Sequence, residues 1–175
     1  MSGPTQGINV PLAAASASRL LRSVTWGVPA LILAVALIPD RENTPLFRGL
    51  LTVLALLLFA LFQLAPRRLA YTLTPDAVVI QRVLNQTRLP YASLSARRTS
   101  GVLGMRTFGT GIPGYLTGHF TLSHDGQGVS RVLAAASASR GGVLLHSGDA
   151  NYFLTPADPA TFLAELSRRG VGLAA

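Results

Sequence analysis

The chain has 175 residues, a net charge of +8 carried entirely by arginine, and no cysteine. The length suits one modest domain plus a further segment rather than two full domains, and the missing cysteines exclude a disulfide framework and a thiolate metal site. Only 13% of residues are charged, against roughly 25% in a soluble domain, and the apolar excess is concentrated between Leu20 and Ala65.

Residues 1–18 are small, polar and rich in glycine and alanine, and read as a flexible lead-in. The octapeptide LAAASASR occurs at Leu12–Arg19 and again at Leu133–Arg140. No longer similarity surrounds either copy, so in an alanine-rich chain it reads as coincidence rather than as a structural repeat.

Two uncharged stretches follow, Ser23–Pro39 and Gly49–Pro66, of 17 and 18 residues. At a helical rise of about 1.5 Å per residue each reaches roughly 26 Å, and flanking arginines can snorkel to cover the rest of the hydrocarbon core. The second, GLLTVLALLLFALFQLAP, is apolar around its whole circumference, where a soluble amphipathic helix would show a polar face. Its leucines favour insertion by roughly 2 to 5 kcal/mol. The first contains Gly27 and Pro29, both tolerated in membrane helices, and Trp26 suits an interfacial position. No small-x-small cleavage site follows it, which argues against a signal peptide. The expectation is a transmembrane helical hairpin over residues 19–68, with helices at about 22–39 and 48–66. Arg19, Arg22, Arg67 and Arg68 flank its outer ends, against Arg41 and Arg48 in the connecting loop. Counting positives alone predicts both termini in the cytoplasm and the inner membrane as the location.

From Leu69 to Ala175 the pattern becomes one of short extended runs broken by turn signals. Leu69–Thr74 and Ala77–Val83 flank Pro75-Asp76, a hairpin-like turn. Thr87–Tyr91, Leu94–Thr99, Tyr115–Ser123, Val129–Ala136, Gly142–His146 and Asn151–Leu154 read as further strands, with Asp125-Gly126 and Ser147-Gly148-Asp149 as turns. This spacing marks a sandwich or barrel. The chain then changes period: Asp158-Pro159 is a cap and first turn, Phe162, Leu163 and Leu166 fall at helical spacing, and Gly170 stops the helix. After Arg68 nine arginines stand against five acids, too mild a surplus for nucleic-acid binding.

The runs YTLTPDAVVIQR, RLPYASLSARR, RTFGTGIPGYLTGHF and NYFLTPADPATFLAEL together resemble the bacterial pleckstrin-homology-like (PH-like) domain family. The likeness covers about Leu69 to Leu166, and its most specific part is Arg106, Phe108, Gly109, Gly111, Pro113, Gly114 and Tyr115. It implies an α+β fold: a mostly antiparallel PH-like barrel of two packed sheets, capped by a C-terminal helix and preceded by two membrane helices. It implies no catalysis and no cofactor.

Each possible chemical site fails on its own terms. Gly109-Thr-Gly111-Ile-Pro-Gly114 has the G-x-G-x-x-G spacing, but Pro113 removes an N–H and a strand follows where a phosphate site needs a helix; it reads as a wide glycine turn. His119, His124 and His146 lack metal-ligand spacing. Ser123, His124 and Asp125 are neighbours in sequence, whereas triad members meet from separate elements. Arg97, Arg98 and Arg106 are expected to flank the glycine loop and, with Arg67 and Arg68, to face the inner leaflet. The expected function is a non-catalytic, membrane-anchored module that binds a protein or peptide partner, with anionic-lipid sensing by the arginines as the alternative.

Overall fold

The computed structural model describes residues 7–14, 19–38, 44–126 and 128–174. The connecting loop with Arg41 and the first residues of the lead-in lie outside the described residues. Two helices come first, α1 (Arg19–Leu37) and α2 (Pro45–Leu64). Thr44 caps α2, its hydroxyl accepting the Phe47 N–H at 3.3 Å, and Pro45 takes the first turn where no N–H is needed. The helices pack through small residues, Ala36 and Ala55 being buried. Trp26 meets Phe59 edge-to-face, ring centres 5.3 Å apart. Much of α2 is bare: Leu46, Leu50, Leu56 and Leu57 are all exposed.

Among the described residues one helix, α2, is long and apolar enough to cross a membrane; the apolar part of α1 is the shorter Thr25–Leu37. Of the two expected spans, then, only the second meets the requirement by length and composition. The polar and charged residues at the start of α1 shorten its apolar run.

The strands form two sheets. The first has β1 (Ile8–Val10), β2 (Ala70–Leu73), β3 (Ala77–Gln81) and β4 (Gln86–Pro90), all antiparallel in that order. The second has seven strands: β5 (Leu94–Arg98), β6 (Val102–Ile112), β7 (Tyr115–Ser123), β8 (Arg131–Ala136), β9 (Val143–Ser147), β10 (Ala150–Leu154) and β11 (Gly172–Leu173). Their spatial order is β11-β5-β9-β10-β8-β7-β6. The β10–β8 and β11–β5 pairings are parallel and the others antiparallel. A PH-like barrel of two packed sheets was expected. The strands instead make two open sheets, because β4 and β5 hand over between sheets through a short turn, Tyr91–Ser93, and β1 and β6 end as free edges.

The main core lies between the sheets. Tyr71, Leu73, Val78, Ile80, Leu145 and Leu154 are fully buried there. Helix α3 (Pro159–Arg168) closes its open side with Phe162 and Leu166. Asp158 caps α3 by accepting the N–H groups of Ala160 and Thr161 at 3.0 and 3.2 Å, and the Thr161 hydroxyl at 2.6 Å, followed by these N–H groups, holds its carboxyl below the usual range. Strand residues alternate in facing, so Ala134, Ala136, Leu144 and Phe153 point to the opposite face. There Leu103, Phe120 and Leu122 cover them as a second cluster.

The described part of the lead-in is ordered structure, not the flexible segment expected. Ile8–Val10 adds a strand to the β2 edge. Beyond it, Ala13 donates to the Thr155 carbonyl at 2.9 Å and Ala157 donates to the Pro11 carbonyl at 2.8 Å. The Ser137 hydroxyl donates to the Ala13 carbonyl at 2.7 Å, and the Ser137 N–H donates to the Thr155 hydroxyl at 2.8 Å. The described start of the first LAAASASR copy thus meets the second copy around Thr155. Beneath them the Tyr71 hydroxyl donates to the Ala135 carbonyl and accepts the Thr155 N–H at 3.2 Å. Burial pushes the Tyr71 pKa up to about 12.

Candidate functional site

The residues singled out from sequence fall on two parts of the second sheet. Arg106, Phe108, Gly109 and Gly111 lie on β6, Pro113-Gly114 is the two-residue turn, and Tyr115 opens β7. The expected glycine loop is therefore a strand, and only Pro113-Gly114 is a turn. The reason is a cross-strand glycine pair. Gly109 and Gly118 face each other with φ of 108° and 117°. A Cβ on either would stand 2.2 Å from a carbonyl oxygen of the other strand. Two glycines let the strands approach and bend where any side chain would force them apart. These residues run as extended strand rather than as a loop leading into a helix N-terminus, so they lack the geometry of a phosphate cradle.

β6 is a free edge, and residues 104–109 are exposed on both faces. Register shifts at Leu103/Arg106 and Arg106/Phe108 break its ladder with β7, as bulges near sheet edges do. Arg106 lays its side chain against Gly111. Phe108 is 75% exposed. Tyr115 is buried, and its hydroxyl accepts the Val83 N–H at 3.0 Å, tying the β3–β4 turn to this hairpin. Leu61 of α2, Arg82, Val83, Leu84, Phe108 and Tyr115 contribute to the lining of an open cleft of about 270 Å³ between turn, hairpin and helix. The sequence reading took Val83 as the end of the Ala77–Val83 strand, which in fact stops at Gln81, and missed Leu84; neither carries a motif.

The arginines do not form one patch. Arg97 and Arg98 lie on β5, and β9, β10, β8 and β7 stand between β5 and β6 in the sheet. Arg97 is committed to Asp125, whose other oxygen accepts the Thr99 hydroxyl. The Asp125 side chain is 2% exposed and that of Arg97 11%. Burial alone would raise the Asp125 pKa; the hydrogen bonds from Arg97 and Thr99 outweigh it and hold the carboxyl below its usual range. Arg98 is exposed and contributes to lowering the pKa of Asp158.

Among the described residues no three histidine, aspartate or glutamate side chains gather as metal ligands would. His119 and His124 are exposed, and His146 pairs with the Asn151 side chain at 3.0 Å.

The family model described as bacterial PH domain matches residues 69–170, from the residue before β2 to the end of α3 and its glycine stop. No curated protein and no solved structure matches the chain. The matched stretch takes in β2 to β10 and α3 and leaves out β1 and β11, and it suggests an interaction module rather than an enzyme. On that match, which spans more than half of its length, the chain belongs to the bacterial PH domain family.

Proposed function

We propose that this protein is a membrane-anchored, non-catalytic interaction module, with α1 and α2 as a two-pass anchor and the PH-like domain held against the cytoplasmic face of the inner membrane. The β1–β2 pairing carries the reading. Ile8–Val10 precedes α1, Ala70–Leu73 follows α2, and the two are hydrogen-bonded neighbours. Segments in one sheet lie on one side of a membrane, so the chain between them crosses an even number of times. If α2 spans, α1 spans with it. The bare apolar surface of α2 and its packing on α1 through Ala36 and Ala55 fit that anchor.

The native chain has no cysteine, so single-cysteine labelling is clean. Cysteine at Asn43 in the connecting loop should react with an impermeant maleimide from outside intact cells. Cysteines at Asn9 and Ser123 should react only after permeabilisation. Labelling of all three in one compartment would sink the two-pass anchor.

The β6 edge supports a protein or peptide as the partner. It offers unpaired backbone beside the exposed Arg106, the setting for strand addition. Arg106→Glu should abolish partner recovery from detergent extracts, while Arg168→Ala on the far helix should not. Equal recovery with both would remove β6 as the docking edge. The alternative, an arginine patch sensing anionic lipid, is weakened by the loss of Arg97 to Asp125.

A further inference from the structure

The end of the domain next to α2 differs in chemistry from the rest. Leu84 is 95% exposed, Phe108 75% and Val83 40%. Single exposed apolar residues need no explanation. These three converge on one cleft, and its remaining wall includes Leu61, one turn before α2 ends at Leu64. The apolar tips therefore reach back along the helix to a level where its own surface is still leucine. The β3–β4 turn and the hairpin are locked in that position by the Val83 N–H bond to Tyr115 and by the Gly109–Gly118 approach.

The charges around the tips are of one sign. Arg67 and Arg68, both exposed, follow α2 directly, and Arg82 begins the turn. Residues 66–74, 82–88 and 102–123 contain no aspartate or glutamate. The β2–β3 register puts Ala70 opposite Gln81, so Arg67, Arg68 and Arg82 share one end of the first sheet and Asp76 lies at the other. Apolar tips ringed by arginine at the end of a membrane helix match the bilayer interface, where apolar side chains enter the acyl boundary and guanidinium groups stay with the headgroups.

We propose that Val83, Leu84 and Phe108 dip into the leaflet from which α2 emerges, giving the domain a second, peripheral hold on the membrane and fixing its tilt. This rests on the two-pass anchor proposed above, and the experiment separates the two. The chain has one tryptophan, Trp26, on α1. Reconstituted into vesicles whose acyl chains carry bromine, the native protein reports the anchor through quenching of Trp26. The double variants Trp26→Phe with Leu84→Trp, and Trp26→Phe with Phe108→Trp, report each tip; both host positions are exposed, so neither substitution disturbs the core. The expected result is quenching of both tip tryptophans to an extent comparable with Trp26. Quenching of Trp26 with neither tip affected would overturn the insertion and leave the anchor standing, placing the tips in water or against a protein. Absence of quenching at Trp26 itself would overturn the anchor and the insertion together.

Discussion

The Tyr115 hydroxyl accepts the Val83 N–H at 3.0 Å and so joins two turns that are separate in sequence. Tyr115 is a brace inside the domain rather than a surface contact. Tyr115→Phe keeps the ring packing and leaves that N–H without its partner. The expected cost is about 1 kcal/mol, read as a lower denaturation midpoint in detergent. Hydrogen exchange at Val83 should accelerate while the β8 and β9 amides stay protected. Unchanged exchange at Val83 would show that the brace is not needed.

The paired glycines should be the least replaceable on the hairpin. Gly109→Ala or Gly118→Ala adds both backbone strain and a clash with the opposite carbonyl, for about 2 to 4 kcal/mol each. Gly148→Ala is the control: its φ is also positive, at 59°, but nothing lies within 4 Å of the added carbon. It should cost about 1 kcal/mol. Equal losses at Gly148 and Gly109 would remove the close approach as the cause.

The Arg97–Asp125 pair predicts an acid-labile domain. Because the folded carboxyl titrates below its unfolded value of 3.8, its contribution is complete above 3.8 and is lost as pH falls through the folded value. Asp125→Asn should flatten the acid limb of the stability curve below 3.8. Part of that limb should survive, since Asp76, bonded by Arg88, and Asp158, bonded by Thr161, are also held low. Asp125→Ala strands a mostly buried guanidinium and should cost about 3 kcal/mol at neutral pH. An unaltered acid limb in Asp125→Asn would mean that the pair is not coupled to folding.

Deleting residues 1–14 removes β1 and the bonds from Ala13 and to Pro11. At roughly 1 kcal/mol per lost bond, the bonds outside the sheet alone, Ala13 to Thr155, Ser137 to Ala13 and Ala157 to Pro11, account for about 3 kcal/mol. Exchange should quicken first in β2, whose edge is bared. Stability equal to that of the full chain would show the strap to be dispensable.

Much of the domain was legible because its signals are local. Pro75-Asp76 marks the β2–β3 turn, alternation marks β7, and Asp158-Pro159 with Phe162 and Leu166 marks α3. What was not legible depends on partners far along the chain. Ile8-Asn9-Val10 has no pattern of its own, and is a strand only because β2 has an open edge to receive it. Arg97 looks like any surface arginine until Asp125, 28 residues on, folds against it. The glycines of residues 109–114 suggested a loop; the pairing of Gly109 with Gly118 makes the same residues a bent strand. Val83 and Leu84 gain meaning only from their position beside Leu61.

The strap sets an order of events during synthesis. Asn9 and its hydrogen-bond partner Thr72 are 63 residues apart, with both helices between them. Ile8–Val10 must therefore wait, unpaired, until α1, α2 and then β2 have followed it from the ribosome. A bulky fusion ahead of Ile8 would meet the domain at this step, when the later strands are already in place, and the product would be a folded domain whose first sheet lacks its edge strand.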